Sequence, residues 1–115
     1  MIRIERHPLV RLDLRELARH VADVSGDPGA AAGRLDQVDA LLGDILANPK
    51  SGTFLSDALP GWRVRHGGPD RRITIVFRLT EAGDRLQIAL VAFGGQNWMG
   101  TAPDRSAAFA EDPES

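Results

Sequence analysis

The sequence predicts a two-layer α+β domain, an antiparallel sheet packed against a helical hairpin near the N-terminus. Three observations predict it. Two consecutive stretches carry apolar residues at helical spacing, with only a three-residue break between them. Two later stretches alternate with a period of two. The resulting order is β-α-α-β-β-β: three successive strands with short turns form a meander, and the helices cover one of its faces.

The first strand spans residues 1–6, with Ile2 and Ile4 on one side and Arg3 and Glu5 on the other. His7-Pro8 ends it, because proline cannot continue a ladder. Over residues 9–24, Val10, Leu14, Leu17, Val21 and Val24 form one apolar stripe of a helix. Ser25-Gly26-Asp27-Pro28 then stops one helix and starts the next. Gly26 suits the left-handed position, Asp27 is a good N-cap, and Pro28 fits the first helical position. The second helix covers residues 28–47, with Ala31, Leu35, Val38, Leu42 and Ile45 on its stripe. So short a connection makes the two helices antiparallel neighbours. Asn48-Pro49 ends the second helix. Residues 50–58 read as a loop tacked to the core by Phe54 and Leu55.

The centre of the chain is a hairpin. Leu59-Pro60-Gly61 opens it, Trp62 to Arg65 is its first strand, and Gly67-Gly68-Pro69-Asp70 turns it. Its second strand alternates Ile73, Ile75, Phe77 and Leu79 with Arg72, Thr74, Val76 and Arg78. The last strand, residues 85–93, is apolar on both sides. Strict alternation places Leu86, Ile88, Leu90 and Ala92 on one face and Gln87, Ala89, Val91 and Phe93 on the other. Either both faces are covered, or one awaits a partner.

With 115 residues, 43% of them hydrophobic, the chain reads as one domain over residues 1–100. An acidic, flexible tail is expected over 101–115, where prolines, small residues and acids gather. That tail has one Arg against four acids, net −3, which leaves the rest at +1 out of a total of −2. Such a balance is not that of a strong non-specific nucleic-acid binder. There is no cysteine, and His7, His20 and His66 lie far apart, so neither a disulfide framework nor a metal site is expected, and no cofactor. No apolar run reaches membrane-spanning length, and no signal peptide is read at the charged N-terminus, so a cytoplasmic protein is expected.

Several short words stand in this order: Pro8 followed by Asp13-Leu14; Ala32 and Leu35; Asn48-Pro49 with Gly52; Leu59-Pro60-Gly61-Trp62-Arg63; Ile75-Val76-Phe77-Arg78; and the apolar run 88–93. Together, over roughly residues 1–98, they resemble the RelE/ParE family of bacterial type II toxins, and more closely its ParE-like branch. The resemblance implies a toxin neutralised by a cognate antitoxin, with operator DNA reached only through that antitoxin. One branch of the family cleaves messenger RNA on the ribosome, and the other inhibits DNA gyrase.

Cleavage by 2′-hydroxyl attack needs a base, an acid and cations around the phosphate. For an endoribonuclease the candidates are Arg63, Arg65 and Arg78 for the phosphate, with His66 or Glu81 for proton transfer. The chain has no Tyr and only Lys50 as lysine, and Gly94-Gly95-Gln96-Asn97 offers no titrating group after the last strand. A gyrase inhibitor needs no catalytic residue, and this reading assigns none. It needs a binding surface, for which the candidates are Arg63, Arg65, Arg78, Val91, Phe93 and Trp98. A ribosome-dependent endoribonuclease and an inactive antitoxin-binding module are the alternatives.

Overall fold

The computed structural model describes residues 2–57, 59–68, 71–93 and 98–110, with side chains for all of these except 28 and 107–110. The elements are β1 (Arg3–Arg6), α1 (Val10–Ser25), α2 (Pro28–Ala47), β2 (Thr53–Phe54), β3 (Arg63–Gly67), β4 (Ile73–Leu79), β5 (Arg85–Phe93) and α3 (Trp98–Ala110). The class is α+β, and two helices precede the meander, as the sequence predicts. The sheet order is β1-β5-β4-β3-β2; β2 to β5 run antiparallel, and β1 lies parallel beside β5.

Local chemistry sets the helical hairpin. Gly26 closes α1 at φ 69°, and its N–H donates to the Ala22 carbonyl at 2.8 Å. The Asp27 carboxylate then accepts the Gly29 N–H at 2.9 Å, with Pro28 opening α2. The apolar stripes meet the sheet: Val10, Leu17, Val38, Leu42 and Ile45 bury against Ile73, Ile75, Phe77, Leu86 and Ile88. Val24, expected on that stripe, is largely exposed.

Three expectations are corrected. Residues 50–58 are not all loop, since β2 adds an edge to the sheet through Thr53 opposite Val64 and Phe54 opposite Arg63. The alternation of β5 breaks at a β-bulge: Val76 faces Leu90 and Phe77 faces Ile88, so Ala89 is an extra residue. Beyond it the faces exchange. Val91 joins Leu86 and Ile88 under the helical hairpin with Phe93 packed beside them, while Ala89, Leu90 and Ala92 form the opposite face.

That opposite face is also covered. Trp62, Val64, Val76, Ala89, Leu90 and Ala92 make a second core with Ala102 of α3, and Trp98 packs against it. A helix from Trp98 to Ala110 therefore stands where a turn-rich exit and then a flexible tail from Thr101 were expected. Gly100 and Pro103, both poor helix formers, hide it from sequence reading. The Pro69-Asp70 half of the hairpin turn, residues 94–97, and the expected docking of Phe109 lie outside what is described. Among the described residues, no helix is long and apolar enough to cross a membrane.

Gly52 holds β2 against β3. Its φ is +84°, and a Cβ there would lie 2.3 Å from the Val64 carbonyl oxygen. Gly52→Ala is expected to lower stability by about 1–3 kcal/mol, read as a lower urea midpoint at unchanged slope.

Candidate functional site

The predicted site residues divide between the two faces of the sheet. Arg63 and Arg65 flank the inward Val64 and so lie on the α2 side of β3. The Arg63 guanidinium stacks 4.5 Å from the Phe54 ring centroid. Arg65 donates to Ser51 Oγ at 2.9 Å and lies 3.9 Å from the Asp44 carboxylate of α2. These contacts tie β2 and the end of α2 to the sheet. Val91 is core under the helical hairpin, and the Phe93 ring stands 4.8 Å from that of His20.

On the α3 side lie His66, Arg78 and Trp98. His66 Nδ1 is 2.8 Å from Thr74 Oγ1, and its ring meets the edge of Trp98 at 6.0 Å between centroids. Trp98 is thus engaged within the chain, half-buried on the second core. Arg78 lies over Trp62, 4.8 Å from its ring centroid, and donates twice to Gln87 Oε1, at 3.1 and 2.5 Å. Gln87 is fully buried, and its Nε2 donates to Glu5 Oε1 at 3.0 Å. Glu5 Oε2 in turn accepts from Arg85 Nη1 at 2.9 Å. Burial, and then the neighbouring Arg85, lower the Arg78 pKa, with Glu5 and Glu81 opposing.

His66 stands opposite Thr74, whereas Arg78 is four residues further along β4. At strand rise that is about 13 Å. Arg63 is on the other face altogether. A base, an acid and a phosphate clamp must converge within hydrogen-bond reach, and Arg63, His66 and Arg78 do not. No protein-family model and no curated protein matches this chain. What the sheet presents is ordered guanidinium groups on both faces: Arg63, Arg65 and Arg78 are each held by a ring, an amide, a hydroxyl or a carboxylate. Such surfaces suit recognition better than proton transfer.

A cluster not foreseen from the sequence lies where β1 ends. Because β1 pairs with β5 only as far as Ile88, the edge of β5 is open beyond that residue. Asp13 of α1 and Arg105 of α3 close it. The Asp13 carboxylate accepts the Val91 N–H at 3.1 Å and takes both Arg105 Nη1 and, at 2.8 Å, Arg105 Nη2. Arg105 Nη1 also donates to the carbonyl of the bulged Ala89 at 3.2 Å. Two signals existed: Asp13 sits between Val10 and Leu17 on the buried side of α1, and Arg105 is the only base in an acidic tail.

His7 adjoins this cluster. Its Nδ1 accepts the Leu9 N–H at 3.1 Å, which requires that nitrogen to be unprotonated. Burial first, then Arg105, lower its pKa from 6.5, against Asp13. With the folded value below the unfolded one, the unfolded chain binds more protons. Stability from His7 is thus present above pH 6.5 and is lost as pH falls below it. Denaturant midpoints measured across that range are expected to fall with acidity, and to fall less steeply in His7→Gln.

Proposed function

We propose that this chain is the toxin of a bacterial type II toxin–antitoxin pair, acting in the cytoplasm by binding DNA gyrase and not by cutting RNA. Membership of the RelE/ParE family rests on the ordered words from Pro8 to Phe93, carried on a helical hairpin followed by an antiparallel meander. The choice between branches rests on one observation: Arg63, His66 and Arg78 are dispersed over two faces and about 13 Å of strand. That arrangement supports inhibition by surface recognition. Both faces of β5 are covered within the chain up to Ala92, so the antitoxin's surface lies elsewhere, and Leu9 just before α1, Leu12 of α1 and Met99 of α3 offer exposed apolar anchors.

Induction of the chain alone is expected to arrest growth, and co-expression with the product of the adjacent reading frame to restore it. The purified pair should elute as one complex. Harmless expression of a folded, soluble chain would contradict the reading.

A further inference from the structure

We infer that the groove between the far half of α1, the first turns of α2 and the Ile73–Phe93 end of the sheet binds an organic oxyanion, a phosphate or carboxylate carried on a flat apolar body. This goes beyond the toxin reading and does not depend on it. The cavity has a volume of about 650 Å³, within the range of small-molecule sites. Leu17, Val21, Ile73 and Phe93 supply apolar walls, and Arg34 and Arg72 supply charge.

Charge bookkeeping selects the ligand's sign. Arg19 also lines the groove, but its guanidinium is engaged by Glu16 at 2.6 Å. That leaves Arg34 and Arg72 against Asp23, with His20 beside them. Arg34 decides the matter. Its Nη1 is buried and has no hydrogen-bond partner among the described residues. A buried guanidinium N–H without an acceptor is costly, and an oxyanion is the acceptor that its planar fork fits. Phe93 pairs with Ile73 across β5 and β4, and its ring is tilted 44° to that of His20. An aromatic wall and a guanidinium with one buried nitrogen lacking an acceptor among the described residues therefore line the same cavity. A bare anion would leave the apolar walls wet, and an uncharged ring would leave Arg34 unsatisfied. Both parts are needed.

The test is an amide chemical-shift titration of the isotope-labelled full chain with AMP, benzoate and orthophosphate, each alone. AMP or benzoate is expected to move the Ile73 and Phe93 amides saturably, with Kd below about 5 mM; which of the two binds more tightly distinguishes a phosphate from a carboxylate ligand. Orthophosphate should bind about tenfold more weakly, having no body to place on the walls. Arg34→Gln and Arg72→Ala should each weaken binding about tenfold while leaving the Ala89 and Leu90 amides unmoved. Arg72 is exposed, so Arg72→Ala gives the answer even if Arg34→Gln fails to fold. Absence of saturable shifts with both organic probes, unchanged affinity in the folded variants, or shifts centred on Arg78 and Arg85 would each overturn the inference.

Discussion

Asp13→Ala is expected to destabilise the fold by about 3–5 kcal/mol, the cost of breaking a buried pair by removing one partner. Asp13 and Arg105 are each only 12% exposed at the side chain. The substitution strands the Arg105 guanidinium and leaves the Val91 N–H without its acceptor. It also severs the polar link that fastens α3 to α1 across the open edge of β5. Guanidinium denaturation measures the loss, and hydrogen exchange should show protection at Val91 falling furthest. Replacing both partners together, Asp13→Leu with Arg105→Leu, should recover much of the stability, because no buried charge is then left alone. A loss below about 1 kcal/mol would mean that solvent screens the pair as it does a surface ion pair.

Trp62→Ala carries the other large effect, also about 3–5 kcal/mol. Trp62 is buried to 1% exposure at the centre of the second core, where it packs with Val64, Val76 and Leu90. It is also the ring beneath Arg78. Its removal opens a cavity under α3 and frees the guanidinium that donates to buried Gln87. Thermal unfolding should show the drop in midpoint, and Trp62→Phe should keep most of the packing. Protease cutting within α3 should accelerate in Trp62→Ala before it does elsewhere. Cutting confined to the helical hairpin would contradict the placement of Trp62 as the floor of α3.

These two positions also mark what was legible in the sequence. The helical hairpin could be read because its information is local: the stripes, Gly26, Asp27 and Pro28 each act within a turn or two. The period of β4 was equally readable. In β5 the period held as far as Ile88 and then misled, because a bulge at Ala89 depends on the strand opposite and not on β5 itself. The apolar second side of β5 shows that a cover or partner is needed but not which, and its cover, α3, carries Gly100 and Pro103, which read as helix breakers. The candidate site was less legible still. Asp13 and Arg105 are 92 residues apart in sequence. Which face carries Arg63 and which carries Arg78 depends on strand register, and no spacing of arginines reveals it.

The measurement closest to the central claim is pulse labelling of cells in the first minutes after the chain alone is induced, following thymidine and methionine incorporation side by side. Inhibition through gyrase predicts that DNA synthesis falls first while translation continues. It also predicts that His66→Ala leaves that order unchanged. Translation falling first, with His66→Ala abolishing the effect, would contradict it and make the chain a nuclease.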